Sequence, residues 1–417
     1  MSDNRIEYVH ILKNILSDGV SFSDVKSTVN EQNKSFFNML LMTTFRQLTF
    51  IKTEVLPQFV KKKIPHKQQI LEFILYLSIT ELLFLDTPDY AVINSYVEIA
   101  KKTTDKFGAN FINAVLRNIL RNKEQLLKQR KAKFFSAEFT KILKQDYSSD
   151  EISAMEDMVT VEPPLDLTFK NNIKPEIDNA VILPTGSIRL PANTKITELE
   201  AFKQGLCWAQ DAASSLPIKC PPSLKGKKVL DICAAPGGKT AQLLDAGAAV
   251  TAVDISENRL AKLKQNIERL NLGDNLKTVC ADALKFSTKE KFDIILLDAP
   301  CSATGTFRRH PEVMNIKKFS DVKKQANLQK QILNHIIDFI APDGILIYAT
   351  CSLSKLEGEV QIKEFLKEHS NFSIVPIKLN GTEKMQTKEG FLRILPHHLK
   401  DLSGIDGFFI AVLQRKI

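Results

Sequence analysis

No stretch of this sequence is apolar for long enough to cross a bilayer. The most hydrophobic run, residues 74–85, is broken by Ser78, Thr80 and Glu81 and falls short of the ~20 apolar residues that a membrane span needs. Residues 1–14 alternate polar and apolar side chains and lack the continuous apolar core of a secretion signal, so export is not expected. Cysteine is scarce. The six thiols, Cys207, Cys220, Cys233, Cys280, Cys301 and Cys351, never form a C-x-x-C pair or sit beside a histidine cluster, which argues against a zinc site or any other metal centre. With few cysteines and no export signal, the expected compartment is the cytoplasm, where thiols stay reduced and free for chemistry or packing. The sequence also has no internal repeat, no low-complexity tract and no G-x-G-x-x-G fingerprint.

What is present suits a soluble protein of two or three domains. A chain of 417 residues exceeds the ~250–300 at which single cores stop growing, and 44% hydrophobic residues is ample for globular packing. The formal charge of +9 is unevenly placed: residues 1–150 carry 22 basic against 16 acidic side chains, residues 151–200 four against nine, and residues 201–417 31 against 23. Residues 117–133 hold seven cations (Arg117, Arg121, Lys123, Lys128, Arg130, Lys131, Lys133) against Glu124 alone. Such density fits either a phosphate-tracking surface or a solvated helix face.

Residues 1–138 read as an all-helical domain. Apolar residues recur at helical spacing at Phe36, Met39, Leu40, Met42 and Phe45, then Ile70, Phe73, Ile74, Leu77 and Leu82, then Phe111, Val115, Leu116 and Ile119, which puts each set on one helix face. Pro57, Pro65 and Pro88 are expected to interrupt the pattern. Tyr90-Ala91-Val92-Ile93-Asn94, Glu98, Ala100-Lys101 and Phe111-Ile112-Asn113-Ala114-Val115-Leu116-Arg117 resemble the later helices of NusB-type domains, and the resemblance implies RNA contact or protein docking. Residues 139–204 are acidic and proline-punctuated, with short apolar runs at 165–169 and 180–183. They read as a small α+β connector with a positioning role, and 165–169 alternates like a strand with one exposed face.

From residue 205 to 417, strand runs alternate with helix-length segments, the pattern of an α/β domain with a largely parallel sheet. Strands are predicted at 229–232, 249–254, 276–280, 292–297 and 344–349, and 372–377 with 408–413 should close the sheet as an antiparallel pair, the arrangement of class I (Rossmann-like) methyltransferases. The turn after the first strand, Cys233-Ala234-Ala235-Pro236-Gly237-Gly238-Lys239, is shallow and glycine-rich, so that a backbone can approach a ligand closely. Asp254 ends the second strand, 23 residues after Asp231, where a carboxylate takes both ribose hydroxyls. Asp282 follows the third strand, in position for an adenine amino group, and Asp298 closes the fourth. Any one of these aspartates could be a turn or capping residue. Together they mark a ligand at the strands' carboxyl ends, and the missing dinucleotide fingerprint favours a smaller adenosyl cofactor over a nicotinamide one.

Two strand ends carry cysteines, in Asp298-Ala299-Pro300-Cys301-Ser302 and Thr350-Cys351-Ser352. Carbon 5 of cytosine is a poor nucleophile until a thiolate adds to carbon 6 and makes carbon 5 an enamine carbon. A carboxyl group beside the thiol can steady the charge that develops on ring nitrogen 3. Paired thiols beside an adenosyl site therefore point to carbon methylation of a pyrimidine. The two motifs, with Asp231 to Thr240, Gln210-Asp211-Ala212-Ala213-Ser214 and Asp406-Gly407-Phe408-Phe409, resemble those of RNA 5-methylcytosine methyltransferases. Joined to a NusB-like N-terminus, they resemble the RsmB/Sun/Fmu type of bacterial 16S rRNA (cytosine-C5) methyltransferases. The resemblance implies S-adenosyl-L-methionine as cofactor, Cys351 as nucleophile and Cys301 as the thiol that assists release, with Asp298 beside them. Glu357-Gly358-Glu359 departs from that family's Glu-Asn-Glu, which bears on local loop contacts.

Lys239 opens the helix after the cofactor turn and could orient Asp298 or the base. Arg308, Arg309 and His310 are candidates for phosphate or base contacts, or simply exposed loop charges. Cys207, Cys220, Cys233 and Cys280 read as packing residues, Cys233 lying in the turn that wraps the cofactor. The expected partner is 16S rRNA, free or partly assembled into the small subunit, with no membrane and no metal, and the default state is a monomer. Three other readings stand beside this one: a tRNA cytosine-C5 methyltransferase, an RNA-binding assembly factor with an inactive methyltransferase domain, and a DNA cytosine methyltransferase. Retention of Asp254, Asp282 and both thiols argues against the inactive factor. Cys351 and the helical N-terminal domain argue against the DNA enzyme.

Overall fold

The computed structural model describes residues 4–20, 22, 25, 33–130 and 133–416; Lys131 of the basic run therefore lies outside the described residues. The chain divides into two compact units, Met1–Lys141 with Arg309–Lys317, and Ile142–Arg308 with Lys318–Ile417.

The first unit is helical. Its main helices are α1 (Arg5–Asp18), α2 (Lys34–Phe50), α3 (Ile70–Phe84), α4 (Asp89–Thr103), α5 (Lys106–Arg121) and α6 (Lys123–Gln129). Every residue of α3 from 71 to 83 except Glu72 is buried, which is the signature of a helix surrounded by others rather than one with a single apolar stripe. Its one buried carboxylate, Glu81, is compensated by Arg5 at 2.6 Å and the Tyr96 hydroxyl at 3.0 Å. In α2 the buried face is Phe37, Leu40, Leu41, Thr44, Phe45 and Leu48. Met39, expected on that face, is instead exposed, because the stripe centres one position away from the predicted spacing. Pro57 sits in the first turn of a short helix and Pro65 and Pro88 just before helical segments, positions where a missing N–H costs nothing. The segment Arg309–Lys317 also belongs to this unit: Asn315 Nδ2 donates to the Phe45 carbonyl at 2.9 Å, Ser136 Oγ to that of Met314 at 2.6 Å, and Ile316 packs on the helical core.

The second unit holds two sheets. The smaller is antiparallel, in order β2-β3-β1-β4, from β1 (Leu165–Phe169), β2 (Val181–Ile182), β3 (Ile188–Leu190) and β4 (Cys207–Ala209). Pairing of β4 with β1 carries this sheet past residue 204. Strand β1 does not show the simple alternation expected of it, because Asp166 is buried in an ion pair with Arg189 at 2.6 Å.

The larger sheet comprises β5 (Lys228–Ile232), β6 (Ala249–Asp254), β7 (Leu276–Cys280), β8 (Phe292–Asp298), β9 (Ile340–Thr350), β10 (Phe372–Ile374), β11 (Leu392–Ile394) and β12 (Phe408–Arg415). Its order is β10-β12-β9-β8-β5-β6-β7, with β5 to β9 parallel, β12 antiparallel between β9 and β10, and β11 beside β12. Strand β11 was not anticipated. Four helices, α7 (Gly238–Asp245), α8 (Glu257–Arg269), α9 (Phe319–Ile336) and α10 (Glu359–Glu368), pack on the sheet. Alternate strand residues feed two cores: Val229, Ile294, Leu296 and Ile347 meet α7 and α8, whereas Leu230, Ile295, Leu297 and Leu346 meet α9 and α10. Burial on both faces explains why these strands read as continuous apolar runs. The strand order reverses between β5 and β8, so a crevice opens at their carboxyl ends.

Candidate active site

That crevice is a cavity of about 370 Å³ lined by Cys233, Ala235, Asp254, Arg259, Asp282, Asp298, Cys301 and Cys351, with apolar walls from Val253, Ile255, Leu328 and Ile332. The size suits a small-molecule site. Of the residues predicted to hold a cofactor, Cys233, Ala235, Asp254, Asp282 and Asp298 line it, while Ala234, Pro236, Gly237, Gly238 and Lys239 lie on the adjoining turn and helix start, outside the lining.

The turn follows from its neighbours. Cys233 adopts a positive φ of 62° and Gly237 one of 101°. A Cβ on Gly237 would stand 2.6 Å from Leu263 Cγ of α8, so glycine there serves helix packing. Gly238 has no such constraint: a Cβ would meet only the Gln210 side chain, at 3.5 Å. The positive φ of Gly237 is a backbone angle of the kind the glycine-rich turn was expected to need, and a side chain there would meet Leu263. Asp231, fully buried, accepts from Thr240 Oγ1 at 2.6 Å through Oδ2, while its Oδ1 has no partner among the described residues. Burial pushes its carboxyl up to about 7, opposed by the Thr240 hydrogen bond. Burial likewise pushes the Cys233 thiol up to about 12.

Three carboxylates ring the cavity. Asp254 accepts from Ala235 N at 3.1 Å and Ser256 N at 3.0 Å; Asp282 accepts from Leu284 N at 3.0 Å. Asp298 accepts from Lys239 Nζ at 2.7 Å, and the same ammonium donates to Ser214 Oγ at 3.0 Å and lies 5.2 Å from the centre of the Phe408 ring. Arg259, which sequence reasoning missed, ties the site together by donating to the Ala235 carbonyl and approaching Asp254 at 3.5 Å. Its signal was its place in the first turn after Asp254. Leu328 and Ile332 were likewise legible only as an i, i+4 pair on α9.

The two cysteine loops meet edge to edge. Pairing of β8 with β9 continues through Ala299 N to the Ala349 carbonyl at 2.9 Å, and Gly305 N donates to the Cys351 carbonyl at 2.9 Å. Cys301 Sγ and Cys351 Sγ are 3.3 Å apart, a non-bonded separation well beyond the ~2.05 Å of a disulfide. The hydrogen bond with Cys351, reinforced by burial, holds the Cys301 thiol well above its ordinary pKa, because ionising it would forfeit that bond.

Arg308 corrects the sequence reading: it is buried, donates to the Ser403 carbonyl, and faces the carboxylates of Asp406 and Asp211, so it braces the fold. Arg309 is exposed, and His310 is half-buried with Nδ1 3.5 Å from Glu312. Cys280 is exposed and is not a packing residue. Among the described residues, no group of three or more His, Cys, Asp or Glu is arranged to hold a metal ion, and no helix is long and apolar enough to cross a membrane.

The donor set fits an adenosyl sulfonium. Carboxylates at the tips of β6 and β8 and beyond β7 accept from hydroxyl and amino groups and tolerate a cation. A pyrophosphate would face this acidic ring. Fold and site together define a class I methyltransferase that uses S-adenosylmethionine. Residues 222–414 match the family described as 16S rRNA methyltransferase RsmB/F, and residues 3–121 match the NusB family. The chain is 31% identical over 423 residues to ribosomal RNA small subunit methyltransferase B of Serratia proteamaculans (strain 568), covering 96% of this chain and 95% of that protein. It belongs to this RsmB/F family of rRNA methyltransferases. The crystal structure of PH0851 shares the fold (TM-score 0.78, 22% identity, covering 98% of this chain and 97% of that one). A methyltransferase homologue from Pyrococcus horikoshii is 25% identical with a TM-score of 0.53, covering 67% of this chain and 99% of that one.

Proposed function

We propose that this S-adenosylmethionine-dependent rRNA methyltransferase modifies carbon 5 of a cytosine in 16S rRNA through a covalent bond between Cys351 and carbon 6. The observation that carries the reading is the pair of sulfurs 3.3 Å apart on one cavity wall, with Asp298 lining the same cavity. The thiolate of Cys351 forms the S–C6 bond; the C5–C6 π pair moves toward nitrogen 3, where a proton relayed from the Lys239 ammonium through the Asp298 carboxylate meets it. When bound, S-adenosylmethionine supplies an electrophilic methyl group to carbon 5. Cys301 then donates its thiol proton to the departing Cys351 sulfur and takes the proton from carbon 5, so that the C5–C6 double bond re-forms. Nitrogen 3 returns its proton through Asp298 to Lys239, and Cys351 loses its own to solvent for the next turnover, the one net proton that methyl transfer releases.

Asp254 and Asp282 hold the ribose and adenine, and residues 233–239 shape the turn beneath them. Residues 1–138 serve as the RNA-binding domain, 139–204 as a connector that positions it, and 205–417 as the chemical domain. The protein works as a cytoplasmic monomer on free or partly assembled small-subunit RNA. Bisulfite sequencing of 16S rRNA incubated with wild-type and Cys351→Ala protein tests the reading: a single protected cytosine that requires Cys351 supports it, and a methyl mark elsewhere than carbon 5, or one that survives Cys351→Ala, overturns it.

A further inference from the structure

Beneath the two thiols lies a buried polar cluster that none of the roles above uses. Ser302, Thr304, Ser352, Gln329 and Glu357 are all at most 1% exposed. At its centre Glu357, at the end of the turn between β9 and α10, accepts from both cysteine loops. From the Cys301 side come Ser302 N at 2.8 Å and Ser302 Oγ; from the Cys351 side comes Ser352 Oγ. Gln329 Nε2 of α9 donates to Glu357 at 3.0 Å and to the Pro300 carbonyl at 2.9 Å. A buried carboxylate with this many donors is a rigid joint, because each donor would otherwise be left unsatisfied away from water.

Both loops have further anchors, since Gln329 also holds the Pro300 carbonyl and Thr304 Oγ1 accepts from Leu353 N at 2.9 Å, but the residue next to each thiol is fixed differently. The Cys351 loop has other anchors: Arg393 Nη1 donates to the Ser352 carbonyl at 2.6 Å and the Tyr147 hydroxyl to the Leu353 carbonyl at 2.7 Å. Arg393 is itself fixed by Glu359. On the Cys301 loop, the residue next to the thiol, Ser302, is held through both its N–H and its hydroxyl by Glu357. We propose that Glu357 is a positioning residue that holds Cys301 within reach of Cys351, so that it governs release of the methylated base rather than formation of the adduct. Shortening or removing its carboxylate leaves the nucleophile anchored and lets the releasing thiol drift.

The inference rests on the covalent reading above, and its test separates the two. Full-length Glu357→Ala and Glu357→Asp proteins, with Cys301→Ala as control, are incubated with 16S rRNA and S-adenosylmethionine and resolved on denaturing gels. The expected result is a covalent protein–RNA band in both Glu357 variants, with turnover reduced at least tenfold and Kd for S-adenosylmethionine unchanged. Glu357→Gln, which keeps an acceptor for Ser302 N–H, should restore most of the turnover. If Glu357→Ala does not fold, the Asp variant decides, since it keeps the charge but is one methylene too short to span both loops. A band with Cys301→Ala but none with a folded Glu357 variant overturns the positioning role alone. No band with Cys301→Ala overturns the covalent reading beneath it. Equal loss of adduct formation and turnover in a folded Glu357 variant would make the residue merely structural and also overturns the proposal.

Discussion

Asp231 offers a quantitative test of how the cofactor turn is built. Its carboxyl is fully buried at the end of β5, and desolvation raises it from 3.8 to about 7; the Thr240 hydroxyl and Lys239 pull it down, and the Asp298 and Asp254 carboxylates push it further up. The folded protein therefore binds this proton more tightly than the unfolded chain. The associated stability is fully present below about pH 4, declines as pH rises toward 7 and is gone above it. Three pH units at ~1.4 kcal/mol each give a ceiling of ~4 kcal/mol. Asp231→Asn removes the titration while leaving an acceptor for Thr240, so its stability should lose this dependence. Urea unfolding between pH 5 and 7, followed by fluorescence of the single tryptophan, Trp208 of β4, should show wild type falling relative to the variant by up to ~1.4 kcal/mol per pH unit. Parallel curves for the two proteins would refute the argument, because they would mean that Asp231 ionises in the fold as freely as in the unfolded chain.

Other consequences are equally direct. Asp254→Asn should weaken S-adenosylmethionine binding about tenfold by calorimetry, the effect of losing ~1.5 kcal/mol from charge-assisted hydrogen bonds. Arg308→Met should destabilise the Trp208-reported transition by ~3–5 kcal/mol, because the Asp406 and Asp211 carboxylates lose their buried countercharge; RNA affinity of the folded fraction should be unchanged. Gly237→Ala should lower stability by ~1–3 kcal/mol through strained φ and the Leu263 clash. Gly238→Ala, with only ordinary contact at 3.5 Å, should cost less than ~1 kcal/mol and leave thermal unfolding nearly unaltered.

The sheet was legible because its central strands, buried on both faces, are largely apolar runs bounded by turn residues, and because acidic or cysteine residues mark the strand ends. Predicted strands 249–254 and 276–280 coincide with β6 and β7, and the others differ by a few residues at their ends. The three-residue β11 is too short to carry a pattern. The small sheet's reach to β4 depends on long-range pairing between residues 167–169 and 207–209, which local spacing does not encode. Charge misled where tertiary partners decide its fate: Arg308 reads in sequence as a phosphate or base contact or an exposed loop charge, yet it is buried and faces the carboxylates of Asp406 and Asp211, distant along the chain. Glu357 was visible only as the first residue of a loop motif whose departure is the neighbouring Gly358. Its role emerged once β8 and β9 brought Ser302 and Ser352 to the same carboxylate.

The most direct test of the account is the identity of the sulfur that bonds to RNA. Cys301→Ala protein incubated with 16S rRNA and S-adenosylmethionine, digested with nuclease and protease, should yield by mass spectrometry one peptide carrying a methylated cytidine nucleotide on Cys351. A cytidine attached to any other residue, or methylated RNA released freely with no such peptide, would contradict the roles assigned to the two thiols.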